Sequence, residues 1–244
     1  MKNTKWLGIL VRISALVLSL FALSVFAGKP ADAEPGASCE LTWSAIPSPN
    51  VGNSPSYLTD LAVVSANDIW VVGGSGTYSS NTSLIMHWDG TSWSTVPSPN
   101  PDANHNSLYS ISALAANDIW AFGDFGSSGV QALHWDGNTW NAVSGLSFPA
   151  FARYSAIVPP NELWAYGDVE CQTSPTLCHP VFWRKQGDTW QKTVGPDYGY
   201  GFHSPPPEMR GLSGTGPNDI WAVGTKYETL AFPSRIILYW DGTT

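Results

Sequence analysis

Four copies of one short pattern, Asn-acid-aliphatic-Trp, leave little freedom in how this chain can fold. They are Asn67-Asp68-Ile69-Trp70, Asn117-Asp118-Ile119-Trp120, Asn161-Glu162-Leu163-Trp164 and Asn218-Asp219-Ile220-Trp221, and their indoles are 50, 44 and 57 residues apart. Self-similarity at roughly 40–50 residues is the period of a four-stranded propeller blade. Each copy runs on through small or apolar residues to a Gly, as in Val71-Val72-Gly73-Gly74 or Ala121-Phe122-Gly123, which reads as a strand ending in a turn. A second pattern follows: His87-Trp88-Asp89-Gly90-Thr91-Ser92-Trp93, His134-Trp135-Asp136-Gly137-Asn138-Thr139-Trp140, a degenerate Trp183 to Trp190, and Tyr239-Trp240-Asp241-Gly242-Thr243-Thr244. Asp-Gly between apolar runs marks a hairpin, because the tight turn needs positive backbone angles. Four short antiparallel strands per unit are therefore expected.

The fold class predicted is all-β, a propeller of about four blades at residues 55–100, 107–145, 152–195 and 208–244, the last with 41–50 added. A single blade cannot bury both faces of its sheet, so neighbours must stack, and large indoles fill the space between twisted sheets. Twelve of the thirteen tryptophans belong to this scheme: Trp43, Trp70, Trp88, Trp93, Trp120, Trp135, Trp140, Trp164, Trp183, Trp190, Trp221 and Trp240. The fourth unit stops short of its last Trp, whereas Leu41-Thr42-Trp43-Ser44-Ala45-Ile46-Pro47-Ser48-Pro49-Asn50 matches Thr91 to Asn100. Two readings use the same residues. Either 41–50 completes the fourth blade and closes a ring, or the chain is a piece of a larger propeller.

Residues 1–33 read as a secretory leader: Lys2, Lys5 and Arg12 precede an apolar run from Ile13 to Phe26, followed by small-x-small sites at Val25-Phe26-Ala27 and Ala31-Asp32-Ala33. The run is shorter than the ~20 residues that span a bilayer. Cleavage after Ala33 leaves a flexible stretch, 34–40, before the repeats at 41–244, and the expected location is secreted or cell-surface. The formal charge of −8 loses four bases and one acid with the leader, leaving 7 bases against 18 acids, a net of −11. Nucleic-acid binding is not expected without a basic patch to meet phosphates. In an oxidising compartment Cys171 and Cys178, bracketing a short polar segment, are expected to form a disulfide, with Cys39 left over.

The unit Ile69-Trp70-Val71-Val72-Gly73-Gly74 followed by His87 to Trp93 and Val96-Pro97 resembles a divergent Kelch-type repeat, of the kind found in the galactose oxidase central domain. Only the first unit has the Gly pair. The Asp-Gly-x-x-Trp turn also resembles, one residue out of step, the Asp-box hairpin of sialidase-like propellers. The resemblance implies a propeller fold and, for most Kelch-like propellers, a binding or scaffold role, with galactose oxidase showing that such a ring can carry catalysis.

Function is expected on the face opposite the tight turns, where Ser75 to Thr82, Pro97 to Ser107, Asp124 to Val130, Ser144 to Arg153, Asp168 to Pro180, Gly195 to Glu208 and Thr225 to Pro233 read as long loops. Candidate ligand contacts are Tyr198, Tyr200, Phe202 and His203, with Tyr78, His105 and Phe125, since loop aromatics can stack on sugar rings or peptide side chains. His87 and His134 occupy equivalent strand positions and read as packing residues. No metal or cofactor is expected, because no two histidines share a ligand spacing, and no catalytic set can be assigned. The sequence thus points to an exported, non-catalytic module binding an unknown protein or glycan. The alternative is a hydrolase or oxidoreductase of the propeller kind on the same face, and a third reading is a structural fragment without a function of its own.

Overall fold

In the computed structural model, residues 43–49, 54–77, 79–128, 130–145, 153–173, 176–199, 207–229 and 232–243 are described. They are all-β, and the sheets are blades of a β-propeller. The first blade is β1 (Ser56–Ser65), β2 (Asp68–Thr77), β3 (Ser80–Trp88) and β4 (Trp93–Thr95), paired in that order. The second repeats it with β5 (Ser107–Ala115), β6 (Asp118–Asp124), β7 (Val130–Trp135) and β8 (Trp140–Ser144). The third is β9 (Tyr154–Val158), β10 (Glu162–Thr173), β11 (Thr176–Gln186) and β12 (Thr189–Val194), with the short β13 (Tyr198–Gly199) added to β11. The fourth has three strands, β14 (Glu208–Gly216), β15 (Asp219–Thr229) and β16 (Phe232–Trp240). Trp43 to Pro49 carry no strand and are exposed.

The core lies between blades. Trp70, Val72 and Ile85 of the first meet Leu108, Ile111, Leu133 and Trp140 of the second. Trp120 and Phe122 then meet Leu163, Val181 and Trp183, while Trp164, Tyr166 and Phe182 meet Met209, Ile220 and Ile236. Beyond the last joint, Trp221, Val223, Ile237 and Tyr239 remain exposed on the fourth sheet.

One feature of the repeat acquires a reason different from that read in the sequence. Gly73, Gly123 and Gly224 do not end their strands; they sit inside β2, β6 and β15. A Cβ on Gly73 or Gly123 would stand 1.9 Å from the carbonyl oxygen of Tyr57 or Ser107, and one on Gly224 2.3 Å from that of Glu208. The glycine lets the innermost strand approach where that strand bulges. The Asp-Gly turns behave as expected, Gly90, Gly137 and Gly242 having φ of 96°, 98° and 94°, with Asn67, Asn117 and Asn218 packed directly against them.

Several expected loops are hairpins instead. Ser75 to Thr82, Asp168 to Pro180 and Thr225 to Pro233 are largely strand, because β2–β3, β10–β11 and β15–β16 keep pairing well past the body of the blade. In the second of these, Cys171 and Cys178 stand directly opposite each other. No helix among the described residues is long and apolar enough to cross a membrane.

Candidate functional site

The conspicuous polar groups of the repeat turn out to be structural. Asp68 Oδ1 accepts the indole N–H of Trp70 at 2.8 Å and lies 2.8 Å from His87 Nε2, whose ring covers Trp70 at 4.3 Å. Asp118, Trp120 and His134 repeat this at 2.7, 2.9 and 4.4 Å. In the third blade Glu162 receives Trp164 at 3.2 Å and pairs with Arg184, whose guanidinium lies over the indole in place of the imidazole. The acid of the Asn-acid pattern thus anchors the Trp two residues on, beyond its place in a turn. The other repeated acid caps its hairpin: Asp89 takes the amides of Thr91 and Ser92, and Asp136 those of Asn138 and Thr139.

Functional candidates are better sought where the blades differ. Val72, Phe122, Tyr166 and Val223 stand opposite Asp60, Ser110, Tyr154 and Gly211 on the innermost strands. The residue just before each is Thr59, Tyr109, Arg153 or Arg210, and in three blades the ladder skips it as a bulge. Bulges re-aim side chains and recur beside functional sites. These positions read Thr, Tyr, Arg and Arg, while the Trp eleven residues on is the same in every blade. Thr59 is occupied locally, its hydroxyl donating to Leu108 O at 2.8 Å. The other three form the candidate site.

Arg153 is exposed and its guanidinium carbon lies 5.3 Å over the ring of Tyr109. Burial pushes the Tyr109 phenol up, the nearby Asp124 carboxylate adds to this, and Arg153 opposes it. Arg210 is 57% exposed and holds Glu208 at 2.9 Å. Beside them the innermost strands are bound together by a partly buried polar network. Asp60 Oδ2 accepts from Ser110 Oγ and the Ile111 amide, both at 2.9 Å, and Ser155 Oγ lies 2.8 Å from the hydroxyls of both Ser110 and Ser112. This network fixes the strand ends that carry Tyr109 and Arg153. A guanidinium fork beside a phenol, as Arg153 over Tyr109, suits oxygen acceptors, carboxylates above all, and its planar N–H array gives orientation as well as charge.

The aromatic candidates taken from the sequence fare unevenly. Tyr78, Tyr200, Phe202 and His203 lie outside the described residues. Phe125 is a correction: it is 1% exposed and belongs to the core between the first two blades, so its ring is packing. It is drawn in because Asp102 ties the segment down, accepting the amides of Asn104, His105 and Ser127. His105 is exposed on that loop, its Nδ1 4.0 Å from Asp102 Oδ1. Tyr198 is half-buried against the third joint, with Lys226 Nζ 5.6 Å over its ring; burial raises its phenol and Lys226 opposes this. His179 is nearly buried between Asp197 Oδ1 at 3.1 Å and Glu170 Oε2 at 3.5 Å, and Glu170 also pairs with Lys192. Among the described residues no cluster of three or more His, Cys, Asp or Glu side chains converges as a metal site would.

No family model matches this chain, and no curated protein matches it. Among solved structures, similarity is found to "YCF48 bound to D1 peptide", at 13% identity and a TM-score of 0.37, covering 80% of this chain and 75% of that one. It is also found to a GH43 endo-arabinanase from Bacillus licheniformis, at 13% identity and a TM-score of 0.24, covering 79% and 96%. Likenesses this distant decide nothing about function.

Proposed function

We propose that the chain is an exported, non-catalytic binding module that engages a protein or glycan presenting carboxylates, through Tyr109, Arg153 and Arg210 at the starts of the innermost strands. Export rests on the N-terminal leader. The observation that carries the binding role is the equivalence of these three positions in an otherwise repetitive frame: packing explains the repeated residues, but not a Tyr and two Arg where the first blade has Thr. In a chain of net charge −8, two guanidinium groups at equivalent places also stand against the overall field. An acidic ligand would be drawn to them and repelled elsewhere.

The test is a binding screen of the chain against acidic and neutral glycans and acidic and neutral peptides, repeated with the double variant Arg153→Gln/Arg210→Gln. The reading expects selective binding of carboxylate-bearing ligands, weakened at least about tenfold in the variant and by added salt, with circular dichroism unchanged. Binding that ignores both the arginines and the ligand charge would refute it.

A further inference from the structure

The Tyr109 end of the candidate site carries a negative charge as well as a positive one. Ser107 opens β5 directly opposite Asp124, which closes β6, and the Tyr57 hydroxyl of the first blade lies 2.9 Å from Ser107 Oγ. Tyr109 is two residues further along β5, with the Arg153 guanidinium carbon of the third blade 5.3 Å over its ring. Burial pushes the Tyr109 phenol up, the Asp124 carboxylate pushes it further and Arg153 pulls it back, so both charges act on one ring. Elsewhere cation and carboxylate close on each other, Arg184 holding Glu162, Lys192 holding Glu170 and Arg210 holding Glu208. Asp124 and Arg153 are kept apart instead. Asp124 Oδ1 accepts the Gly126 amide at 2.9 Å, Arg153 lies on the phenol, and among the described residues neither is in an ion pair.

We propose that this end of the site takes an aminocarboxylate, a ligand group in which an ammonium accompanies the carboxylate, with the carboxylate on Arg153 and the Tyr109 hydroxyl and the ammonium on Asp124. The inference rests on the carboxylate-binding reading above and narrows its ligand from acids in general to zwitterionic ones, of the kind a peptide shows where its free amino end carries Asp or Glu. A plain carboxylate that reaches Arg153 meets the like charge of Asp124, whereas an aminocarboxylate meets an opposite charge at each end. The polar hydroxyls of Tyr57, Ser107 and Tyr109 border both charges, so a ligand that bridges them keeps hydrogen-bond partners along its length. Asp124 is then the residue that sets specificity, separate from the arginines that supply the attraction.

Peptides with amidated C-termini separate the two charges: Glu-Ala-Ala with a free amino end, the same peptide N-acetylated, and Gln-Ala-Ala with a free amino end. Their affinities are measured by NMR titration of the chain and of Asp124→Asn, which keeps an oxygen for the Gly126 amide. The free Glu peptide is expected to bind at least about tenfold tighter than either of the others, and Asp124→Asn to remove its advantage over the acetylated form without weakening the acetylated form itself. Equal binding of the free and acetylated Glu peptides, both weakened by Arg153→Gln, would leave the carboxylate reading standing and overturn this one, as would an advantage that survives in Asp124→Asn. Binding of no peptide, or binding indifferent to Arg153→Gln, would remove the carboxylate reading and this inference with it. The comparison of peptides on the unaltered chain decides the matter even if Asp124→Asn does not fold.

Discussion

Replacing Gly123 by Ala adds one methyl group in the middle of β6, and the structure gives the consequence numerically. The new Cβ would lie 1.9 Å from Ser107 O and 2.9 Å from Leu108 Cα, both backbone atoms of β5. Neither can rotate away, so the innermost strand must move by more than 1 Å or β6 must bend. Leu108 is fully buried and the Ser110–Asp60–Ser155 network starts two residues further on, so the displacement spreads into packed surroundings. Overpacking of this kind costs about 1–3 kcal/mol and occasionally more, and a backbone collision belongs at the upper end. At about 3 kcal/mol, a domain of this size loses about 6–12 °C in Tm. Gly216→Ala is the matched control, because a Cβ there meets nothing within 4 Å, and its effect should stay within about 0.5 kcal/mol. Thermal melts of the two variants decide the matter. If Gly123→Ala melts with the unaltered protein, the close-approach explanation for the repeated glycine is wrong.

Removing the acid that anchors a buried indole should matter more than removing its exposed counterpart. Asp118→Ala leaves the Trp120 N–H without its acceptor at a residue 6% exposed and should cost about 1–3 kcal/mol in urea unfolding, while Asp219→Ala, beside the 49% exposed Trp221, should cost under about 0.5 kcal/mol. The Thr91 hydroxyl, followed by the Ser92 and Thr91 amides, holds Asp89 down to about 2 from 3.8. A depressed folded value stabilises above the unfolded pKa and is lost as pH falls through the folded one, so the Tm of the unaltered protein should fall between pH 4 and 2 more steeply than that of Asp89→Asn. With Cys171 and Cys178 opposite each other across β10 and β11, alkylation of the protein without reductant, after folding under oxidising conditions, should label Cys39 alone, and labelling of all three would exclude the disulfide expected from the sequence.

The blade pattern was legible because two motifs at a steady spacing state both where strands turn and which positions must hold indoles. Strand lengths were not. Polar, Cys-containing stretches such as Asp168 to Pro180 look like loops by composition, and only pairing across the hairpin shows that they continue the ladder. Phe125 was misread for a related reason: an aromatic in a Gly-Ser segment suggests a surface loop, yet Asp102 folds that segment inward. The arginine and tyrosine positions left a signal that reading for motifs passes over. Thr59, Tyr109, Arg153 and Arg210 each lie eleven residues before the Trp of their repeat. Aligning the four units on that Trp brings them into one column, beside a second that differs in all four units, Asp60, Ser110, Tyr154 and Gly211; register with the neighbouring strand, not variation alone, separates the two.

The binding role is tested most directly by hydrogen exchange of the chain with and without the tightest ligand from the screen. The account predicts added protection around residues 57–60, 107–111, 153–155 and 208–211, where the innermost strands begin. Protection confined elsewhere, on the β10–β11 hairpin for example, would contradict it.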